Sequence, residues 1–396
     1  MSTLKVDAIR HNSATSDAIT THSDGTASAK IIDVGGGQLS HRNIIINGAM
    51  NVAQRATSTT SNGYGFVDRF LTNVASLSTG GNVTRSQQSL SSSDTGPWQA
   101  GFRKYARMAT VAAGTAAATS AIDFYTHIEA QDMANSGWDY TSSSGKITLS
   151  FWFRCSANQT FYTYLRSRDG TEQGYVFAFT ASGNNTWTKI THTIPGNSNI
   201  TFDDNNGTGL SIYWIAYYGT DYTNNKTLNT WAAHSGSNTS PDMQTTWLTS
   251  GAATWDITGI QLEVGDTATS FEHRSYGDEL RRCQRYFQLV EYAHAVARSS
   301  TNTGGVTAQF VCEMRAAPTI STMNLSTKAT NVGLNLQGDG SANTTQSSGN
   351  QGTSYSSQRS MYLYDMSGFS GMTAGRSYIV AVPANNAVVF TATSEL

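Results

Sequence analysis

The chain has 396 residues and a formal net charge of -2, with 13% Asp, Glu, Lys and Arg where an ordinary domain has about 25%. That balance excludes a basic nucleic-acid-binding surface. Its 38% apolar and 10% aromatic content excludes a disordered chain, and no apolar run approaches the ~20 residues of a membrane span. Ser, Thr and Asn fill roughly a third of the sequence, well above ordinary usage. Low charge, many hydroxyls and many aromatics together predict a β-rich, outward-facing polar scaffold.

Residues 1–40 open with alternating Leu4, Val6 and Ala8 and reach Ser23-Asp24-Gly25-Thr26, a hairpin turn signal. A stretch this short cannot bury a core by itself. It is expected to pair with copies of itself or to dock on another protein as an attachment arm. No charged, apolar, small-residue leader opens the sequence, which predicts synthesis in a reducing cytosol or export without a cleavable signal.

Residues 41–275 predict strands at Asn43–Met50, Ala106–Ala112, Phe124–Ala130, Lys146–Cys155, Thr160–Arg168, Tyr175–Thr180, Thr186–Ile194, Leu210–Tyr218 and Trp255–Val264, separated by Gly/Asn/Ser turns. Leu149, Phe151, Phe153 and Cys155 share one face of the fourth, with Ser150, Trp152 and Arg154 on the other. In Ser211–Tyr218 both faces are apolar, Ile212, Trp214 and Ala216 opposing Tyr213, Ile215 and Tyr217, more than a strand with one wet face needs. The fold class read from this pattern is all-β: an antiparallel β-sandwich, or jelly roll.

A composition break follows. Gly277–Glu291 carries Leu280, Cys283 and Phe287 at helical spacing behind an acidic start, predicting a short helix at about 277–291. Strands are predicted at Val306–Arg315, Ser377–Val382 and Ala387–Thr391, so that residues 276–396 make a smaller C-terminal β domain around a Ser/Gly/Asn-rich stretch at 337–360. Cys155, Cys283 and Cys312 are odd in number and far apart, which predicts three free thiols.

Several segments resemble known families. Asn43-Ile44-Ile45-Ile46-Asn47-Gly48-Ala49-Met50, Phe66-Val67-Asp68-Arg69-Phe70, Ile128-Glu129 and Ile147-Thr148-Leu149-Ser150-Phe151-Trp152-Phe153-Arg154 resemble the strand series of carbohydrate-binding-module-like jelly rolls. Asp256-Ile257-Thr258-Gly259-Ile260-Gln261-Leu262-Glu263-Val264-Gly265, with Phe271-Glu272-His273-Arg274, Asp278-Glu279-Leu280 and Gln284-Arg285-Tyr286, is similar to tailed-bacteriophage tail fibre proteins, as is the opening Ser2-Thr3-Leu4-Lys5-Val6-Asp7. The resemblance implies a virion-attached N-terminus, a β-sandwich middle and a distal tip, assembled as a homotrimer. Calcium-binding cellulose and xylan modules share the jelly-roll pattern. They often carry an acidic residue just after the first-strand Asn-x-Gly, where this chain has Ala49-Met50, whereas Asp256 does match one of their acidic positions. No metal ligand and no cofactor is assigned.

A sugar site needs flat aromatic faces rimmed by amides, carboxylates or Arg. Loop aromatics are favoured because strand aromatics are more often core. The candidates are Tyr222, Trp231 and Trp247 in the turn-rich stretch 219–250, Trp98 in another loop, and Trp152 with Arg154 on the face of a long strand away from the core. Asp203-Asp204-Asn205-Asn206-Gly207 has the oxygens of half a calcium loop but lacks the distal Glu, and reads as an Asx-rich turn. His127 and Glu129 share a strand face without further catalytic company. No catalytic residue is assigned, and the chain is expected not to be an enzyme.

The function read from the sequence is a phage tail fibre, made in the host cytoplasm and placed in the virion tail. It would be held through residues 1–40 by a tail adaptor or nozzle protein and would recognise host surface polysaccharide, with no nucleic acid and no membrane insertion. A polysaccharide depolymerase acting on capsule or lipopolysaccharide, and a purely structural virion spacer, are the alternatives.

Overall fold

The computed structural model describes residues 6–10, 19–23, 27–29, 41–77, 82–330, 332–338, 343–346, 352–380 and 388–396. Most of the attachment arm expected at 1–40, and residues 339–342 and 347–351 of the stretch 337–360, lie outside the described residues. Within 1–40, the strands Ala8–Ile9, Ile19–Thr21 and Ala27–Ala29 form a small antiparallel sheet.

The body is all-β and antiparallel. One six-stranded sheet runs Ala232–Ala233, Gln173–Ser182, Asn158–Ser167, Thr208–Tyr218, Ala121–Glu129, Phe70–Ala75 in spatial order. The second runs Thr188–Pro195, Lys146–Cys155, Thr254–Val264, Lys104–Thr110, Val83–Ser89, Ser58–Thr59. The two stack face to face, and period-2 alternation sends one side of each strand into the space between. Phe151, Phe153, Ile212 and Trp214 are all buried there. Phe70 stacks on Phe124 at 4.8 Å, and Phe153 meets Trp255 edge-on at 5.1 Å.

The expected strand Asn43–Met50 is a correction. The segment is buried but irregular, because its own amides replace the ladder. Asn43 Nδ2 donates to the Ile260 carbonyl (3.1 Å) while its Oδ1 accepts from Leu262 N (3.1 Å). Asn47, at φ 61°, donates through Nδ2 to the Val52 and Asp68 carbonyls, both at 2.9 Å.

The helix is also shorter than expected. It spans Tyr276–Gln284, and the Ser275 hydroxyl accepts from Asp278 N at its start, satisfying an end donor. The chain then turns at Arg285 and continues as the strand Phe287–Val290. That strand joins Val388–Thr393 and Thr319–Asn324 in a three-stranded sheet. A seven-stranded sheet, with Ser377–Val380, Ala293–Ala297, Thr303–Gln309 and Ser360–Tyr364 at its centre, completes the C-terminal lobe. Its core includes Val306, Leu336, Leu363, Tyr378 and Phe390.

The two lobes are joined by charged clamps. Arg285 makes two hydrogen bonds (2.8 and 2.9 Å) to the buried Glu129, to which Tyr286 also donates its hydroxyl. Burial would raise the Glu129 acid, but these donors outweigh it and hold the carboxyl below its ordinary range. Arg69, 2% exposed, pairs with Glu395 and lies 3.4 Å from the Tyr286 ring centre. Residues 43–47 and 272–279 meet beside this junction. Glu272 accepts from Asn43 N (2.9 Å), Glu279 accepts from Asn47 N (2.6 Å), and Arg274 donates to the carbonyls of Asn43 and Ile45.

All three cysteines are free thiols, Cys155 and Cys283 buried and Cys312 half-buried. Burial pushes the Cys155 thiol up to about 12, away from the reactive thiolate. A thiol reagent is expected to label Cys312 in the native protein and the other two only after denaturation; early loss of Cys155 would contradict this packing.

Candidate functional site

The outer face of the first sheet is built in rows. Cross-strand register places Leu71, Tyr125, Tyr213, Tyr164 and Val176 side by side on five adjacent strands. The next row is Asn73, Asp123, Ile215, Tyr162 and Ala178, and the row on the other side brings together His127, Ser211, Arg166 and Gly174. Because the strands are regular there, the three rows point the same way. A bulge after Ile215 re-aims the strand end, a common use of such irregularities, and Tyr218 reaches Asp123.

The tyrosines form a floor. Tyr125 and Tyr213 stack at 4.9 Å with 19° between their planes, and Tyr164 follows at 6.2 Å from Tyr213. Gly174 makes room for Tyr164, since a Cβ there would lie 2.0 Å from the Tyr164 hydroxyl. The excursion after Tyr218 folds back to supply a wall, and a cleft of about 330 Å³ opens between floor and wall. Asp221, Tyr222, His234, Gly236 and Thr239 line it from the wall; Asn73, Asp123, Tyr164, Arg166, Tyr213 and Tyr218 line it from the sheet. This volume lies within the range of small-ligand sites, which combine apolar walls with a few placed polar groups.

The polar groups are positioned. Asp123 accepts from the Tyr218 hydroxyl (2.9 Å) and from Asn73 Nδ2 (3.4 Å). Burial, only partly offset by those donors, pushes its acid up to about 7. The Tyr164 hydroxyl and His234 Nδ1 share a 2.7 Å hydrogen bond. Burial lowers His234 to about 4, so the imidazole is neutral at pH 7. Burial and the nearby Arg69, Arg168 and Arg166 charges lower His127 to about 3; it bonds Ser211 Oγ at 2.7 Å. Arg166 is held by Glu172. The result is a nearly neutral cleft offering ring faces, hydroxyls, an amide, an acid and a guanidinium.

Of the six residues expected from sequence, Tyr222 alone lines this cleft, its ring 5.4 Å from that of Tyr218. Trp247 is a correction: it is fully buried in the sandwich core, so neither ring face is open to a ligand. Trp231 is likewise a core residue, 7% exposed, its indole N–H donating to the Pro195 carbonyl (2.7 Å) and its ring 5.3 Å from Tyr175. Trp98, Trp152 and Arg154 lie on the outer face of the other sheet. There Trp152 is half-buried in a small aromatic cluster with Trp98 and Phe102, and the Arg103 guanidinium sits 3.9 Å over the Trp98 ring. Arg154 is occupied by Asp256 (2.8 Å) and Asp94 (2.6 Å).

Asp256 also accepts two bonds from Arg107, at 2.8 and 2.9 Å. A carboxylate shared by two guanidinia does not fit a calcium ligand. Among the described residues no group of three His, Cys, Asp or Glu is gathered for a metal. The Asp203–Gly207 stretch closes on itself as a turn, Gly207 N donating to Asn205 Oδ1 at 2.7 Å. Glu129 is spent on the lobe junction, away from any partnership with His127. A larger depression beside the helix is lined by Arg274, Arg281, Arg282 and Arg285, but Arg274 and Arg285 are already committed to the contacts described above.

Residues of the cleft missed from sequence include Asp123, Tyr164 and Tyr213. The second apolar face of Ser211–Tyr218 pointed to Tyr213 alone.

No family model and no curated protein matches this sequence. Solved structures that overlay on it include the enzymatically active domain of bacteriophage CBA120 tailspike protein 4, at 9% identity and TM-score 0.29, over 56% of this chain and 21% of that one. Another is a putative sugar binding protein from Bacteroides thetaiotaomicron, at 9% identity and TM-score 0.28, over 56% of this chain and 99% of that one. The N-terminal cellulose-binding domain of Cellulomonas fimi β-1,4-glucanase C overlays at 8% identity and TM-score 0.25, over 55% and 99%. This chain thus spans about a fifth of the tailspike chain.

Proposed function

We propose that the chain is a tail-fibre protein of a phage virion that binds host-surface polysaccharide in the tyrosine-floored cleft without breaking a bond. The observation that carries the binding is the cleft in which the partly exposed rings of Tyr213, Tyr218 and Tyr222 converge, with Asp123, Asn73 and Arg166 at its edges. Ring faces pack on the C–H face of a sugar while the edge groups take its hydroxyls. The tail-fibre-like motifs and the polar, weakly charged composition support the virion assignment. Residues 1–40 would dock on a tail adaptor or nozzle protein, and the fibre would be a homotrimer. Stacking of ~1 kcal/mol per ring makes a single site weak, in the millimolar to high-micromolar range, so adhesion relies on several copies acting together.

The test is titration of the full chain with purified host polysaccharide. Tyr213→Ala is expected to weaken binding about tenfold, as loss of one central stacking ring plus its edge contacts would, while the thermal unfolding transition remains cooperative. Unchanged affinity in both Tyr213→Ala and Tyr222→Ala would overturn the cleft assignment. Two carboxyls, Asp123 and Asp221, line the cleft, the one feature favouring a depolymerase. New reducing ends released from the polysaccharide by wild type, and not by Asp123→Asn, would replace the binding reading with that one.

A further inference from the structure

The C-terminal lobe carries an aromatic surface separate from the cleft. In its seven-stranded sheet, Ala293, Ala295, Val306, Met361, Leu363 and Tyr378 point into the lobe core. Alternation therefore sends the intervening residues outward. Register sets Ile379, His294, Thr307 and Tyr362 in one row and Ser377, Val296 and Gly305 in the other, with Tyr364 two residues beyond Tyr362 on the same strand. Tyr355 extends the first row, its N–H donating to the Tyr362 carbonyl at 2.8 Å. Tyr355 is 66% exposed, Tyr362 38% and Tyr364 37%.

Gly305 shapes this surface. A Cβ on it would lie 2.8 Å from Tyr362 Cε2, so the missing side chain lets the Tyr362 ring settle across the sheet instead of standing away from it. Tyr355 lies 6.1 Å from that ring at 39°, giving two adjoining aromatic faces. Hydroxyls of Thr307, Ser377 and Thr353 are exposed around them. At the edge, Arg298 is paired with Asp365 (3.2 Å) and donates to the Tyr364 hydroxyl (3.2 Å), so the fixed charge there is balanced.

We propose that this face is a second glycan-binding platform, on which an uncharged sugar residue stacks against Tyr362 and Tyr355 over the gap left by Gly305. Its chemistry selects that occupant. Tyr rings interleaved with Thr and Ser match a ligand with an apolar face and a hydroxyl edge. A balanced Arg–Asp pair gives a polyanion nothing to neutralise. Against a second copy of the chain, three Tyr and two aliphatic side chains, each partly covered already, fall short of the apolar centre found in a stable interface of about 1,200–2,000 Å².

The platform is independent of the cleft, and one set of variants separates the two. Full-length protein is titrated with neutral hexasaccharides of β-linked glucose, galactose and xylose, observed by saturation-transfer NMR. A Tyr213→Ala protein, with the cleft weakened, is expected to retain saturation transfer to at least one of them. Adding Tyr362→Ala should weaken this residual binding about fivefold, the effect of one stacking ring, and Gly305→Val should do the same by tilting that ring. Both changes are on an exposed face, so the unfolding transition reports whether the fold is intact. No residual binding in Tyr213→Ala, or residual binding indifferent to Tyr362→Ala and Tyr355→Ala, overturns the platform and leaves the cleft reading standing. Loss of cleft-dependent binding is read separately, from Tyr213→Ala against wild type. Sedimentation showing that Tyr362→Ala dissociates an oligomer would instead assign the face to a second copy.

Discussion

Replacing Glu395 by Ala is expected to destabilise the protein by about 3–5 kcal/mol, the cost of leaving a buried charge without its partner. Arg69 is 2% exposed and Glu395 6%, so neither partner recovers water when the other is removed. Arg55 loses its 3.1 Å contact to the same carboxylate. The remaining support for Arg69, the His127 carbonyl at 2.8 Å and the Tyr286 ring, holds its position without neutralising it. The control is Glu313→Ala, whose partner Arg359 is 78% exposed. Such surface pairs contribute between zero and about 1 kcal/mol. Urea unfolding compares the two, and equal midpoints for the two variants would show that the Arg69 clamp is not holding the lobes together.

The second large effect is a pH dependence set by Asp123. Its acid lies at about 7 in the folded protein against 3.8 for an unperturbed Asp. The folded state therefore holds a proton that the unfolded chain has released across that interval. Stability then falls as pH rises from about 4 to about 7 and is level in this contribution above it. The interval of roughly three units corresponds to about 4 kcal/mol. Asp123→Asn keeps an acceptor for Tyr218 and has nothing to ionise, so its stability should be flat over the same range, other groups being equal. Binding should follow, because the neutral acid donates a hydrogen bond to a sugar hydroxyl below pH 7 and the carboxylate accepts one above it. Denaturant midpoints at pH 5 and pH 8 for wild type and Asp123→Asn decide this. Parallel pH profiles would show that Asp123 does not titrate in this interval.

Legibility in the sequence followed periodicity. Lys146–Cys155 alternates cleanly and is a strand over those residues, and the all-β sandwich follows from several such segments. Asn43–Met50 misled because a run of three Ile has strand composition; positive φ at Asn47 and Met50 and side-chain amides that replace ladder bonds are invisible in composition. Val83–Ser89 was missed because it is a polar strand whose Arg85 is buried through bonds to Asn62 and the Thr60 carbonyl. The helix ended early because Arg285 and Tyr286 turn to Glu129, some 156 positions earlier in the chain, a long-range pull no local pattern encodes. The site was half legible. The two apolar faces of Ser211–Tyr218 indicated a covered or ligand-facing surface, but the preference for loop aromatics led instead to Trp231 and Trp247, which the folded-back excursion buries.

The Arg69–Glu395 clamp also has a consequence for biogenesis. Its partners are 326 positions apart, so at 5–20 residues per second roughly 16–65 s of translation separate them. The sandwich is complete only once its strand Thr254–Val264 has been made, and from then until Glu395 is made the Arg69 side of its surface stays uncovered. A shorter gap of 156 positions leaves Glu129 waiting for Arg285. The junction therefore closes in the order of synthesis, Glu129 being covered when Arg285 and Tyr286 follow and Arg69 gaining its carboxylate only with the last residues of the chain.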